Sequence, residues 1–175
     1  KNALVIDGTN QAAQPLDIAI ANGVIAKLGA TGTLAGETAK REIDATDLVV
    51  APGFIDMHSH SDRNIHKNPD IENFLRQGVT TVLAGNCGGS PTDLPDFEKK
   101  LQANGIALKM GLLIGHNSVR RKVMQSDNRA PTGKELNAMK GIVDNAMQAG
   151  AFGLSSGLIY VPGTYASTEE VVELA

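Results

Sequence analysis

The sequence predicts an α/β chain: a small all-β module over residues 1–51, then alternating strands and helices over residues 52–175 whose strands pair in parallel. Three observations predict it. Asn22-Gly23 stands between two short apolar segments in the first fifty residues. Pro52-Gly53 marks a change of pattern, after which apolar runs alternate with segments opened by helix caps. Glycine supplies 19 of 175 residues while aromatic residues are only 3%, a composition suited to many tight turns between aliphatic strands.

In the first module, Ala3–Ile6 reads as a strand. Leu16–Ala21 and Val24–Leu28 flank Asn22-Gly23, the pair best suited to a two-residue type I′ hairpin because both central residues need positive φ. Ala30–Lys40, rich in Gly, Thr and Ala, reads as a loop, and Ile43–Val50 resumes strand character. Beyond Pro52-Gly53, Phe54–His58 reads as a strand. Asn68-Pro69 then opens a helix, with Asn as cap and Pro at the first helical position, running to Gln77. Val79–Ala84 is a β-branched strand, Asp93–Asn104 a helix and Ile106–Ile114 a third strand. Thr132 and Glu135 form a capping-box signature for a helix that ends at Gly150. Ala151–Ile159 is the fourth strand, and Ser167–Glu170 opens a last helix. Strands separated by helices pair in parallel, either in a doubly wound sheet or in part of a (β/α)₈ barrel. No Gly-x-Gly-x-x-Gly follows a strand, so a dinucleotide fold has no support. Phe54, Phe74, Phe97 and Phe152 are expected in the core, and Arg120-Arg121-Lys122 as solvated charge.

Composition narrows the function. The net charge is −3, so no electrostatic footprint for nucleic acid is present. No apolar run approaches the roughly 18 residues of a spanning helix, which argues against a membrane. One cysteine forms no intrachain disulfide, and a cytoplasmic location is the expectation. The chain starts at Lys1 with strand character already under way, so preceding residues are expected.

The strongest chemical feature is Asp56-Met57-His58-Ser59-His60-Ser61-Asp62. Residues two apart in a strand share a face. His58 and His60 could therefore reach one divalent ion, with Asp56 and Asp62 beside them. Cys87 follows the second strand in Gly85-Asn86-Cys87-Gly88-Gly89, where parallel pairing brings it beside the histidines. Thiolate with imidazole favours zinc over magnesium or calcium. Two other readings stand for Cys87: an inert buried thiol, or a nucleophile with His116 as its base. His116 follows the third strand and could orient substrate, lie near the metal, or simply bond to backbone. Ser155 and Tyr160 close the fourth strand; their hydroxyls could hold a substrate carboxylate or serve packing. His66 is expected on the surface.

Val50-Ala51-Pro52-Gly53-Phe54-Ile55-Asp56-Met57-His58-Ser59-His60 resembles the strand-one signature of the metal-dependent amidohydrolase superfamily. Gly85-Asn86-Cys87-Gly88, Gly115-His116-Asn117 and Gly153 to Gly163 are similar to its D-aminoacylase branch, the N-acyl-D-amino-acid deacylases. The resemblance implies the N-terminal half of a TIM-type (β/α)₈ barrel preceded by part of a small β-sandwich domain. It implies zinc, with Cys87 at the tightly bound position and His58 and His60 at a weaker one. It implies a small-molecule substrate, an N-acyl-D-amino acid hydrolysed to a carboxylate and a free D-amino acid. His116, Ser155 and Tyr160 are the expected substrate-binding residues, and the general-base aspartate is expected beyond Ala175. Many relatives carry a carboxylated lysine at strand four, and no lysine follows Lys140 here. That counts against the alternative of a cyclic-amide hydrolase resembling dihydroorotases or hydantoinases. A non-catalytic half-barrel scaffold is the other alternative. A half barrel has open edges, so the isolated chain is expected to associate or be poorly soluble.

Overall fold

A computed structural model describes residues 1–175. The chain divides into two compact units, Lys1–Pro52 and Gly53–Ala175.

The first unit is a four-stranded sheet of β1 (Ala3–Val5), β2 (Gln14–Ala21), β3 (Val24–Ala30) and β4 (Val49–Val50), in the order β3-β2-β1-β4. β2 and β3 form the expected hairpin, and Asn22 (φ 53°) and Gly23 (φ 77°) both take the left-handed conformation the turn requires. β1 pairs antiparallel with β2 and parallel with β4. Ala3, Val5 and Ala45 form its small core, with Leu16 and Ile18 packed against them. The alternate residues Leu4 and Ile6 stay exposed, as the two-residue period of a strand dictates. The strand expected over Ile43–Val50 shrinks to β4, because Asp44 and Thr46 instead close a local turn through Asp44 Oδ1. Asp17 is buried and accepts the backbone N–H groups of Asn2 (2.8 Å) and Gly32 (2.9 Å). The Asn2 amide above all holds its carboxyl below the usual carboxylate range.

The second unit alternates β5 (Phe54–Asp56), α1 (Glu72–Leu75), β6 (Val79–Ala84), α2 (Leu94–Asn104), β7 (Lys109–Leu112), β8 (Ile114–Gly115), α3 (His116–Met124), α4 (Gly133–Gln148), β9 (Leu154–Ser155) and α5 (Thr168–Leu174). β5, β6 and β7 form one parallel sheet, and β8 pairs in parallel with β9. Backbone bonds from Leu113 to Ala84 and from Phe152 to Leu112 continue the order β6, β7, β9. All the parallel strands therefore bring their C-terminal ends to the same side. Val82, Ala84, Leu112 and Ile114 meet Leu94, Phe97 and Leu101 of α2 and Met139, Val143 and Ala146 of α4 in one core. The helix positions follow the i, i+3/i+4, i+7 spacing of an amphipathic face. Thr132 caps α4, and both bonds of its capping box with Glu135 are present. No helix is long and apolar enough to cross a membrane.

Several expectations need correction. The first helix is a single turn, because Ile71 takes a left-handed conformation (φ 38°) and blocks extension back to Asn68. The third and fourth strands are shorter than Ile106–Ile114 and Ala151–Ile159. α3 was not expected: its cap is Gly115, which offers no side-chain acceptor and so no signal in the sequence. Phe54 and Phe152 are 64% and 74% exposed rather than in the core. Each ring instead lies across a glycine, Gly78 and Gly111, covering backbone that lacks a side chain. Arg120 is fully buried, not solvated, because Glu170 pairs with it and the carbonyls of Asp127 and Arg129 accept from its other end. His66 is half-buried, with its ring edge-to-face on Phe97 at 4.8 Å.

Candidate metal centre

β5 ends at Asp56, so the His-x-His segment lies in a turn and not on a strand face. Asp56 Oδ1 accepts the His58 backbone N–H (2.9 Å), an Asx turn that spends this carboxylate on the chain's change of direction. Ser59 N–H donates to the carbonyl of Leu83 (3.0 Å), fastening the middle of the motif to the end of β6. The imidazoles of His58 and His60 meet edge-to-face with centroids 5.6 Å apart.

Cys87 lies three residues past β6 in a left-handed conformation (φ 54°), half-buried, with Sγ 3.3 Å from His58 Nε2. One ligand atom from each of His58, His60 and Cys87 lies within 4.8 Å of the others. A tetrahedral ion with ligand bonds of about 2.0–2.3 Å holds its donor atoms about 3.3–3.8 Å apart, so three atoms within 4.8 Å need only a small inward shift to share one. The donor set, one soft thiol and two imidazoles, fits zinc, whereas an all-oxygen set would fit magnesium or calcium. A cavity of about 770 Å³ opens beside the histidines, lined by Asp56, His58, His60, Asn64, Lys67 and Phe74 among others.

Asp62 is buried in a short 3₁₀ turn, where it accepts from the Gly85 amide at 3.4 Å; burial pushes its carboxyl above the usual carboxylate range. It therefore braces the second loop and does not join the cluster. The other expected site residues are placed differently again. Ser155 lies at the end of β9, and its hydroxyl donates to the Gly85 carbonyl (2.5 Å) and accepts from the Gly88 amide (3.1 Å). His116 is the first residue of α3 and fully buried, with Nε2 2.9 Å from Glu170 Oε1 and Nδ1 unpartnered. Neither lines the cavity beside the histidines. Tyr160 is exposed, and its carbonyl accepts from Asn117 Nδ2 (3.2 Å).

Two site-building residues had no assigned role in the sequence. Asn86 Nδ2 donates to the carbonyls of Leu83 (2.8 Å) and Ser59 (3.2 Å), so the residue before the thiol grips the residue between the histidines. Asn117 Nδ2 holds the carbonyls of Gly157 and Tyr160. Their signal was position: each sits inside a glycine-bounded motif beside a candidate ligand. In the sequence Glu170 closes a capping-box pattern with Ser167. Ser167 Oγ does accept its amide (3.2 Å), but its carboxylate turns inward to His116 and Arg120.

Fold and cluster together describe an α/β protein with a candidate thiolate–imidazole metal site at the C-terminal ends of parallel strands. Residues 41–173 match the model of the amidohydrolase family, and the chain belongs to that family. It is 36% identical to a D-aminoacylase of Alcaligenes xylosoxydans xylosoxydans over 97% of its own length and 39% of that protein's. A solved structure of N-acyl-D-glutamate deacylase from Bordetella bronchiseptica, complexed with zinc and a phosphonate inhibitor that mimics the reaction's tetrahedral intermediate, superposes with a TM-score of 0.91 at 33% identity, over 99% of this chain and 41% of that one. A D-aminoacylase structure described as having a binuclear metal centre superposes with a TM-score of 0.86 at 36% identity, over 97% of this chain and 40% of that one. The chain thus spans about two fifths of the length of these relatives.

Proposed function

We propose that this chain is the metal-binding portion of a zinc-dependent hydrolase that cleaves N-acyl-D-amino acids to a carboxylate and a free D-amino acid. The observation that carries the reading is the convergence of His58, His60 and Cys87 within 4.8 Å. The likeness to D-aminoacylase and to N-acyl-D-glutamate deacylase supports the substrate class. We read the parallel strands as the first half of a (β/α)₈ barrel, whose active site lies at the C-terminal strand ends.

In this reading His58, His60 and Cys87 would hold zinc, which when bound would supply Lewis acidity toward an acyl carbonyl and a water. The chain's own residues set up that chemistry. Asp56 fixes the turn that aims the His58 ring. The Cys87 thiolate contributes negative charge and excludes hard, oxygen-seeking cations. Asn86 and Asp62 hold the two ligand-bearing segments at fixed separation. The cavity beside the histidines takes the substrate, with Lys67 on its wall as a cation for a carboxylate. The exposed Tyr160 is a substrate contact, and His116 acts from behind, through its position at the start of α3. Proton transfer falls to an aspartate beyond Ala175. One thiol and no disulfide fit the cytoplasm, which cell fractionation tests.

The test is hydrolysis by the complete gene product. N-acetyl-D-amino acids are expected to be cleaved, with L-enantiomers and cyclic ureides cleaved far more slowly. Chelation verified by metal analysis abolishes activity, and zinc restores it. Cys87→Ala is expected to lower kcat/KM by more than about 100-fold, beyond the 10–100-fold usual for outer partners. Activity that survives metal removal sinks the proposal, and preference for cyclic ureides moves it to the other branch.

A further inference from the structure

We propose that Ser155 is a positioning residue for the Cys87 thiolate: one hydroxyl, donating to the Gly85 carbonyl and accepting from the Gly88 amide, clamps the two ends of the short segment that carries Cys87 and thereby aims Sγ at the histidines. The inference rests on the reading of Cys87 as a metal ligand. It departs from any role for Ser155 in touching substrate.

The geometry is specific to this hydroxyl. A serine has one O–H to donate and two lone pairs. Here the proton goes to the Gly85 carbonyl (2.5 Å) and a lone pair takes the Gly88 amide (3.1 Å). Both bonds are buried and reach across 70 and 67 residues of sequence. They bracket a residue in a conformation that L-residues adopt with difficulty, since Cys87 has φ 54°. Without an outside hold, that short segment would relax toward ordinary dihedrals and swing the thiol away. The strand that carries Ser155 also closes over the loop directly. A Cβ on Gly157 would lie 2.2 Å from the Cys87 carbonyl oxygen, so only glycine admits this approach. Asn117 secures that glycine by donating to its carbonyl at 3.0 Å. The fourth strand thus contributes to the metal centre without placing any atom on the metal. Where many superfamily members are expected to use a lysine from this strand, a serine here acts one step back, on a cysteine from another strand.

The complete gene product is loaded with Co(II) in place of zinc, and the near-ultraviolet thiolate-to-cobalt charge-transfer absorption reads ligation by Cys87. Metal affinity is read separately by competition with a chromophoric chelator. Cys87→Ala is expected to abolish the band. If it leaves band and affinity unchanged, the ligand reading itself has failed, independently of Ser155. Ser155→Ala is expected to fold, to lose most of the band and to weaken metal binding about 10- to 100-fold, the range for a group that orients a ligand. Ser155→Thr, which keeps the hydroxyl, restores most of both. In a Cys87→Ala background, Ser155→Ala is expected to change affinity no further, because the thiol through which it acts is gone. Four outcomes overturn the inference: an alanine variant with the parent's band and affinity, a threonine variant as impaired as alanine, an equal loss in both backgrounds, or an alanine variant that does not fold. The last would assign the hydroxyl to the fold and not to the thiol.

Discussion

Both units bury carboxylates that tie distant segments together, and Asp17 of the first and Glu170 of the second are satisfied in opposite ways. Asp17 in the first unit accepts only backbone amides, from Asn2 and Gly32. Glu170 in the second accepts from side chains, His116 Nε2 and the Arg120 guanidinium. An acceptor held by amides needs lone pairs and gains from charge, yet a neutral isostere keeps part of the arrangement. An acceptor held by a buried cation must be an anion, because removing the charge strands its partner. The difference separates a site where shape dominates from one where charge dominates.

The comparison breaks most readily at Glu170. Glu170→Gln should destabilise the second unit by about 3–5 kcal/mol, the cost of leaving a buried guanidinium uncompensated. Denaturant unfolding of the complete gene product measures it, and a loss no larger than that of a surface substitution would erase the distinction. Asp17→Asn should cost clearly less, read by the same titration. Proton linkage sharpens the contrast. Asp17 is held below its ordinary value near 3.8, so its contribution is fully present above that value and is lost as pH falls through the lowered one. Protection of the Asn2 and Gly32 amides against hydrogen exchange, corrected for intrinsic rates, should therefore fall on acidification below about pH 4. In Asp17→Asn that acid step should vanish. The smallest effect belongs to a local device: Thr132→Ala removes the cap of α4 and should cost about 1 kcal/mol. Glu135 is held far below the carboxylate range, first by Arg129 and then by Thr132, so this cap persists well into acid.

The legible parts of the sequence were those built from neighbours. The Asn22-Gly23 hairpin and the Thr132–Glu135 box complete their own bonds within a few residues, and both appear in the structure. α3 is illegible because Gly115 provides no capping acceptor and because its inward face is largely polar, with His116, Asn117 and Arg120 buried beside Val119 and Met124. Two buried apolar positions five residues apart give no helical period to count. The metal-type residues stood out because His58, His60 and Cys87 each follow an apolar strand. The partners of the residues around them did not, since Asp62 reaches 23 residues ahead, Asn86 27 back and His116 54 ahead. A residue's chemistry is written where it stands, but its partner is decided only when strands pair. The same reason misplaced Arg120, whose charge looks solvated until Glu170 arrives 50 residues later.

The span between Cys87 and its clamp bears on synthesis. Both ends of that link are made far apart in time: a ribosome adding about 5–20 residues per second needs several seconds to pass from the thiol to the serine 67 residues beyond Gly88. Throughout that interval the histidine pair is already made, and of the holds on the cysteine segment the Asn86 bonds to Ser59 and Leu83 can form while the Ser155 clamp cannot. On the proposed reading, a growing chain would offer a metal ion two imidazoles first and a locked thiol only after the fourth strand docks, so the order of translation would bear on which ion is held.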